Sequence, residues 1–361
     1  MTIIYNENFQ LVRVANIASL KGENMCYVQK LIDKMNEQGE DKQYIEICAA
    51  YAQKLCDNNV PVVFDFKHLS LLLGYEPAEL AFYLFASEDL FYTQIQIPKK
   101  NGGFRNIEIP SDRLKSIQRW ILRNVLDGME VHESCYGFKK GKSIYDNALL
   151  HVGKDCVLNM DLKDFFPSIT QKDVFNIFYK KGYTKKVSYY FAKILTKDGV
   201  LPQGSPASPM ISNIVANHLD KRLNELAKCY NSVYSRYADD ITFSGATNIK
   251  NMIPVVTKII EEENFQVNEQ KTRYVYYYQR QEVTGLIVNK KVSIPKKYLR
   301  EISKEIYYCQ KYGVSSHLIK TGNHKSFYKE HMYGKAYFVN MVDKEKGQKI
   351  LNELDSIMWE Y

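Results

Sequence analysis

The spacing of apolar residues predicts helices at both ends of the chain. Over residues 1–60 apolar side chains recur every three or four positions, as in MCYVQKLIDKM and YIEICAAYAQKLC, which is the period of a helix with one buried face. The helical period returns from Pro295 to the C-terminus. We therefore expect an N-terminal helical extension over residues 1–60 and a separate helical module at the other end.

Alternation of apolar and polar residues predicts strands in the middle of the chain. In TQIQIPKKNGGFRNIEIP, the isoleucines on either side mirror each other across Asn-Gly-Gly, a strong short-range signal for a hairpin. VYSRYADDITFS shows a strand-turn-strand pattern, and DCVLNMDL is predicted to be a strand that ends at Asp161. Further strands are expected in KTRYVYYY and EVTGLIVNKKVSI.

Helices are predicted between these strands. One opens at Ser111 and Asp112, one starts near Ser143, and others fill residues 171–197. LPQGSPASPMISNIVANHLDKRLNELA begins as a loop and becomes a helix. This order of strands and helices predicts an α+β fold.

Length, charge and cysteine content indicate the compartment and the kind of partner. With 361 residues the chain is long enough for two or three packed subdomains. Its net charge of +8 favours polyanionic partners. Seven cysteines without a C-x-x-C pair suit a reducing compartment, and no apolar run approaches the roughly 18 to 20 residues of a membrane span. We expect a cytoplasmic protein with no membrane partner.

Three aspartates are the candidate chemistry. Asp161 ends a predicted strand, and the adjacent pair Asp239 and Asp240 lies at the tip of a predicted hairpin. Neighbouring carboxylates repel each other, and a divalent metal is the simplest compensator. Two Mg²⁺ ions held by such carboxylates can activate a hydroxyl and stabilise a leaving oxygen in phosphoryl transfer. The alternative is an aspartate-rich turn whose side chains are solvated.

The flanking residues connect these aspartates to a known family. YADD between β-prone residues resembles the catalytic box of reverse transcriptases, NMDLKDFFPSI resembles their first metal-binding motif, and LPQGSPASPMISN resembles the loop and helix between the two. The resemblance runs from about Thr93 into the C-terminal helical module. It implies a right-hand polymerase fold with fingers at 61–150, a palm of antiparallel sheet and helices at 151–288 with a fingers insertion near 171–200, and a helical thumb at 289–361.

The resemblance also implies roles for individual residues. The two Mg²⁺ ions would be held by Asp161, Asp239 and Asp240, with the backbone of Leu162 in the same site. The incoming dNTP would contact Arg105, Lys100, Phe166, Gln203, Gly204 and Lys271.

Several of these positions have a second interpretation. Phe166 falls where a ring would exclude a ribonucleotide 2′-hydroxyl, but it could instead be a core residue beside Phe165. Arg105 suits phosphate because guanidinium binds it with two hydrogen bonds. Lys99 and Lys100 on the hairpin tip are also typical of a solvated surface. Gly204 would let the backbone approach the nucleotide.

Two further segments resemble signatures of retron reverse transcriptases. NALLH, residues 147–151, matches N-A-x-x-H, and VTG, residues 283–285, matches the other signature. On a helix Asn147 and His151 share one face, so both could contact one RNA segment. The alternative is a hydrogen-bonded pair buried beneath the fingers. Val283, Thr284 and Gly285 would also contact RNA.

The retron resemblance implies a specific activity. Such enzymes copy part of a structured non-coding RNA into branched multicopy single-stranded DNA, msDNA, and prime it from a guanosine 2′-hydroxyl. They typically act in anti-phage defence together with an effector protein. The cations at the start of the thumb, Lys296, Lys297 and Arg300, are predicted to bind the RNA. We expect no endonuclease, protease, integrase or maturase domain after the thumb.

Two other functions remain open. The chain could be another bacterial reverse transcriptase, of the group II intron, diversity-generating or abortive-infection type, and the pair of NALLH and VTG argues against that. It could also be an RNA-binding protein with an inactive polymerase fold, which predicts degraded carboxylates, whereas all three are present.

Overall fold

The computed structural model describes residues 2–5, 11–14, 20–98, 102–322 and 325–359. Its strands are β1 Thr2–Tyr5, β2 Leu11–Val14, β3 Tyr92–Pro98, β4 Phe104–Pro110, β5 Cys156–Lys163, β6 Val233–Tyr237, β7 Asp240–Gly245, β8 Gln266–Val267, β9 Arg273–Tyr276, β10 Glu282–Val283 and β11 Leu286–Ile287. Its helices are α1 Leu20–Glu37, α2 Lys42–Asp57, α3 Phe66–Leu73, α4 Pro77–Phe85, α5 Asp112–Ile121, α6 Ile144–Leu149, α7 Gln171–Lys180, α8 Lys185–Leu195, α9 Ser208–Val215, α10 Asn217–Cys229, α11 Ile253–Glu262, α12 Lys296–Tyr312, α13 Val314–Thr321, α14 Tyr328–Val342 and α15 Lys344–Asp355. Among the described residues no helix has the length and apolarity needed to cross a bilayer.

The chain forms two compact units. The first contains residues 1–131 and 164–218, and the second contains residues 132–163 and 219–361. The chain therefore enters the second unit, leaves it after β5 and returns to it in α10. The fingers, palm and thumb boundaries drawn from the sequence remain predictions.

The first unit is mainly helical and carries two antiparallel hairpins. β3 pairs with β4, which confirms the predicted hairpin. In its register Ile95 lies opposite Ile107, and Ile97 lies opposite Arg105. β1 pairs with β2, so the helical prediction over residues 1–60 was wrong at its start. The sequences TIIY and LVRV are rich in β-branched residues, which favour strands.

The second unit is built on a five-stranded antiparallel sheet. β6 pairs with β7 and β7 with β5, while β8 and β9 both pair with the other edge of β5. β5 is buried along nearly its whole length, as expected for a central strand. The prediction that this strand ends at Asp161 was wrong, because Leu162 and Lys163 continue the ladder against β8.

The helices α12 to α15 complete the second unit. Their buried residues form one hydrophobic cluster that also includes Ala148 of α6, Val157 of β5, and Val283 and Leu286 of the β10–β11 hairpin. These helices bury one face each, as the three- and four-residue spacing of apolar positions predicts. The α6 segment and the β10–β11 hairpin therefore share a core with the C-terminal helices.

Candidate active site

Antiparallel pairing brings the three aspartates together at one end of the central strands of the sheet in the second unit. Asp161 in β5 lies directly opposite Asp240, the first residue of β7. Tyr237 pairs with Asp240 and closes a two-residue turn that contains Asp239. The Leu162 N–H donates to the Asp239 carbonyl at 2.9 Å. Directly opposed residues in such a ladder have Cα atoms roughly 4.5–5.5 Å apart, so the backbone of β5 holds these carboxylates together.

A lysine partly balances the charge of this group. Lys271 lies in the short turn after β8, and its Nζ donates to both carboxylate oxygens of Asp161, at 2.8 and 3.0 Å. The Asp161 residue is buried, with 6% of its surface exposed. One ammonium group therefore stands against three carboxylates, and the site keeps an excess of negative charge.

The excess of negative charge contributes to a raised pKa of Asp240. Desolvation by neighbouring protein atoms, together with the negative charges of Asp239 and Asp161, raises the pKa of Asp240 to about 6, and Lys271 opposes this shift.

The donor set fits a divalent cation. Carboxylate oxygens are the ligands that Mg²⁺ and similar hard cations prefer, and a cation would relieve the repulsion that raises the pKa of Asp240. In the part of the chain that the structure describes, no three acidic, histidine or cysteine side chains converge closely enough to form a complete metal site. The Asp161 carboxylate is bound by Lys271.

The residues predicted to bind dNTP belong to different parts of the chain. Lys271 is in the second unit with the aspartates, whereas Arg105, Phe166, Gln203 and Gly204 belong to the first. Arg105 is exposed, Phe166 and Gln203 are half-buried, and the Phe166 ring packs edge-on against Phe165 with centroids 5.7 Å apart. Lys100, with Lys99, lies outside the described residues. The nucleotide contacts of all these residues stay predictions.

Gly204 has a structural requirement of its own. A Cβ atom at this position would lie 1.9 Å from the carbonyl oxygen of Glu108 in β4, a distance that no substituent can adopt. The absence of a side chain is therefore needed for packing against β4, whether or not a nucleotide also approaches.

The NALLH segment is interior. Asn147 is 1% exposed and His151 is fully buried. The two ring nitrogens of His151 hydrogen-bond to Ser244 Oγ at 2.7 Å and Ser235 Oγ at 2.8 Å, so this side chain bridges β6 and β7. Burial of both side chains agrees with the buried alternative, but not as a hydrogen-bonded pair, because the polar side-chain atoms of Asn147 have no hydrogen-bond partner among the described residues. The shared helical face is also wrong, because α6 ends at Leu149 and His151 lies beyond it. The RNA contact remains a prediction.

The VTG segment forms the turn of the β10–β11 hairpin. Val283 pairs with Leu286, and the two residues between them have left-handed backbones, with φ of 47° at Thr284 and 84° at Gly285. Two positive φ values in a two-residue loop are typical of the turn that best fits twisted strands. Val283 is buried, Thr284 half-buried and Gly285 exposed.

The predicted RNA-binding cations lie at the start of α12. Lys296, Lys297 and Arg300 are all exposed. Lys296 and Lys297 lie in the first turn, which has no acidic residue, and Arg300 follows next to Glu301. Cations at a helix N-terminus oppose the helix dipole. Their position is therefore unfavourable for the helix alone and suits an anionic partner.

Sequence reasoning missed the buried residues around the catalytic turn. Arg236 is fully buried and paired with the equally buried Asp220, and neither was singled out. The strand pattern did contain a signal for Arg236. Alternate residues of a strand share a face, so Arg236 lies on the same face of β6 as the buried Tyr234. A charged residue at an inward-facing strand position needs a buried partner, but the sequence does not say which one.

An antiparallel sheet with aspartates on neighbouring strands and a surplus of negative charge is the arrangement expected of a nucleotidyl-transferring polymerase. Residues 97–306 match the family described as reverse transcriptase (RNA-dependent DNA polymerase). The chain belongs to the reverse transcriptase family, with the α+β right-hand polymerase fold, and to its retron branch. Members of this family use divalent metal ions and RNA templates.

Curated relatives support the retron branch. The chain is 34% identical to the retron Mx162 reverse transcriptase of Myxococcus xanthus, over 80% of this chain and 66% of that protein. It is 33% identical to the retron Ec86 reverse transcriptase of Escherichia coli, over 77% of this chain and 85% of that protein. Against the retron Mx65 enzyme of Myxococcus xanthus the identity is 31%, over 72% and 63%. The chain thus spans about two thirds of the length of the Myxococcus relatives.

Solved structures add little to this assignment. A telomerase from Candida albicans in complex with a telomeric RNA fragment matches with a TM-score of 0.42 and 12% identity, over 73% of this chain and 62% of that one.

Proposed function

We propose that this chain is the RNA-directed DNA polymerase of a retron, which copies part of a cognate structured non-coding RNA into branched msDNA. The observation that carries the proposal is the pairing of Asp161 with Asp240 across β5 and β7, with Asp239 in the adjoining turn. Three carboxylates at one end of two neighbouring strands suit nucleotidyl transfer, and an inactive RNA-binding protein has no need to keep them.

Each residue of the site has a defined task in this reaction. Asp161, Asp239 and Asp240 would hold two Mg²⁺ ions, with the Leu162 backbone beside them. When bound, the ions would favour ionisation of the attacking hydroxyl and stabilise the leaving oxygen. Lys271 supplies a positive charge next to Asp161 and can stabilise the departing phosphate once the cations occupy the carboxylates.

The incoming dNTP is proposed to contact the residues that the sequence singled out for it. Arg105 and Lys100 bind its triphosphate, because guanidinium and ammonium groups suit phosphate oxygens. Gln203 and Gly204 lie along the nucleotide, and the Phe166 ring excludes a 2′-hydroxyl. The primer is the 2′-hydroxyl of a guanosine in the non-coding RNA, which gives a branched product.

The RNA is proposed to bind the start of α12 through Lys296, Lys297 and Arg300. The support is their exposure and their place at a helix N-terminus that lacks acidic residues. The complex would act in the cytoplasm in anti-phage defence, with an effector protein as its partner. Cys48, Cys135, Cys156 and Cys309 are buried thiols, which suits a reducing compartment.

Replacement of single carboxylates tests the catalytic proposal. We expect Asp239→Asn and Asp240→Asn to reduce dNTP incorporation on a primed RNA template by several orders of magnitude, because the amide cannot replace a charged ligand. Asp112→Asn is the control, since Asp112 is a fully exposed side chain on α5. Near-normal synthesis by either active-site variant would contradict the proposal.

The retron assignment has its own test. Nucleic acid that copurifies with the chain from its native host would be treated with RNase and then with debranching enzyme. A short single-stranded DNA that changes mobility after debranching is the expected result. Linear cDNA alone would instead favour a reverse transcriptase of the group II intron, diversity-generating or abortive-infection type.

A further inference from the structure

The turn that carries Asp239 begins with a residue in an unfavourable backbone conformation. Ala238 has φ of 58°, in the left-handed region where a Cβ atom crowds the backbone. A non-glycine residue keeps this conformation only where its surroundings hold it. The conformation of Ala238 must therefore be held by neighbouring residues.

One side of the turn is held by a close backbone approach. A Cβ atom on Gly137 would lie 2.3 Å from the Ala238 nitrogen and 3.0 Å from the Tyr237 carbonyl carbon. The main chain at Gly137 thus packs directly on the peptide that enters Ala238. The Tyr136 N–H also donates to the Arg236 carbonyl at 2.8 Å, which ties the same segment to β6.

The other side is held by a buried guanidinium group. Nη1 of Arg236 donates to the Ala238 carbonyl at 2.9 Å. That carbonyl belongs to the peptide between Ala238 and Asp239. The hydrogen bond therefore fixes the orientation of the peptide plane that leads into Asp239. The next carbonyl, of Asp239 itself, accepts from Leu162 N–H. Both peptides that flank the Asp239 side chain are thereby fixed.

Asp220 in α10 orients the guanidinium. Its Oδ1 accepts from Arg236 Nε at 2.7 Å and its Oδ2 from Nη2 at 2.6 Å, the two-pronged geometry that only arginine provides. Tyr234 adds a hydrogen bond to Oδ1 at 2.7 Å. Neither Arg236 nor Asp220 has any exposed surface, so the pair makes no contact with solvent.

We propose that Arg236 and Asp220 are positioning residues that fix Asp239 for cation binding by holding the Ala238 carbonyl, a role that rests on the nucleotidyl transfer proposed above. A buried ion pair is a poor means of stabilisation, because desolvation offsets most of the attraction between the charges. A geometric role explains why an arginine, with a third hydrogen bond aimed at the turn, occupies this place.

Arg236→Lys tests the proposal, since it keeps the charge but loses the planar fork. We expect kcat for dNTP incorporation to fall about 10- to 100-fold, as for other residues that orient metal ligands. The KM for dNTP should stay within about twofold, because nucleotide binding is not touched. Arg222→Lys is the matched control: Arg222 lies two residues after Asp220 on α10 and pairs with Glu262 and Glu263.

A binding measurement separates this proposal from the proposed function. Mn²⁺ is titrated into each protein and free Mn²⁺ is followed by electron paramagnetic resonance. We expect Arg236→Lys to weaken Mn²⁺ binding about tenfold or more, and Arg222→Lys to leave it unchanged. Absence of DNA synthesis by the unaltered chain on its RNA would overturn the proposed function. Equal Mn²⁺ binding by the Arg236→Lys and unaltered proteins would overturn the positioning role.

A second variant covers the case in which Arg236→Lys does not fold. Arg236→Met combined with Asp220→Leu replaces the ion pair with apolar side chains and leaves no unpaired charge. We expect this protein to fold, to melt near the temperature of the unaltered chain, and still to show the lowered kcat and weakened Mn²⁺ binding. Full activity in the double variant would overturn the proposal, and so would unfolding of both variants, which would make the pair a purely structural element.

Discussion

Thr284 donates from its hydroxyl to the carbonyl oxygen of Ile144, at 3.3 Å. Thr284 belongs to VTG, and Ile144 is the first residue of α6, whose last three residues, 147–149, begin NALLH. This hydrogen bond joins VTG to the helix that leads into NALLH, although 140 residues separate Thr284 from Ile144 along the chain. Ala148 and Val283 also belong to one hydrophobic cluster.

The contact predicts different outcomes for two substitutions of Thr284. Thr284→Val keeps the shape but removes the hydroxyl, so we expect it to lower the free energy of unfolding by about 1 kcal/mol. Thr284→Ser keeps the hydroxyl and removes the β-branch that crowds a positive φ, so stability should be equal or higher. Chemical denaturation measures both. Equal losses in the two variants would show that the hydrogen bond contributes nothing.

His151 predicts a loss of stability in acid. Burial lowers the pKa of His151 to about 3. Above about pH 6.5 the imidazole is neutral in both the folded and the unfolded chain, and its contribution is fully present. As the pH falls from about 6.5 towards 3, His151 is protonated in the unfolded chain but stays neutral in the folded chain. The free energy of unfolding therefore falls by up to about 1.4 kcal/mol per pH unit.

Comparison with His151→Gln isolates this effect. Burial also lowers the pKa of His68, to about 4, and that residue contributes in the same direction in both proteins. We expect the variant to show a flatter dependence of unfolding free energy on pH between 6.5 and 4. Parallel profiles for the two proteins would mean that His151 is not the group responsible.

Phe166 predicts the selection of the nucleotide sugar. If its half-buried ring closes the space beside the 2′ position, Phe166→Ala should raise the ratio of ribonucleotide to deoxyribonucleotide incorporation by about tenfold or more, which corresponds to about 1.4 kcal/mol of lost discrimination. Phe166→Tyr keeps the ring and should keep the ratio. Single-nucleotide extension with matched dNTP and rNTP gives the measurement. An unchanged ratio in Phe166→Ala would leave Phe166 as a packing residue beside Phe165.

Gly204 predicts a stability defect that is independent of nucleotide. Gly204→Ala must displace either its loop or β4, because its Cβ would meet the Glu108 carbonyl, and we expect a loss of about 1–3 kcal/mol in unfolding free energy. Gly128→Ala is the control, since nothing lies within 4 Å of its added Cβ and its φ is not positive. Similar stability of the two variants would refute the packing requirement.

The cations of α12 predict salt-sensitive RNA binding. Lys296→Gln with Lys297→Gln should weaken binding of the cognate RNA and reduce the slope of log affinity against log salt by about 1 for each lost phosphate contact. Lys344→Gln with Lys349→Gln makes the same charge change at exposed positions of α15 and should have a smaller effect. Filter binding over a salt series measures both pairs. Equal effects would assign the attraction to net charge alone.

Much of the fold was predictable because local periodicity reports burial. The hairpin at β3 and β4, the start of α6 at Ser143 and the strand-turn-strand around Asp239 all follow from alternation, turn residues and capping. The prediction failed where pairing depends on distant residues. β5 continues past Asp161 only because β8, about a hundred residues later, pairs with Leu162 and Lys163.

The chain alone was enough to assign the family and to propose three aspartates and one lysine for its chemistry, because motifs and their order are properties of the sequence. The contacts themselves needed the three-dimensional structure: Lys271 binds Asp161, His151 bridges β6 and β7, and Arg236 donates to the carbonyl that precedes Asp239. The physical reason is that hydrogen bonds and ion pairs depend on distances between side chains, and distance is set by packing rather than by separation along the chain.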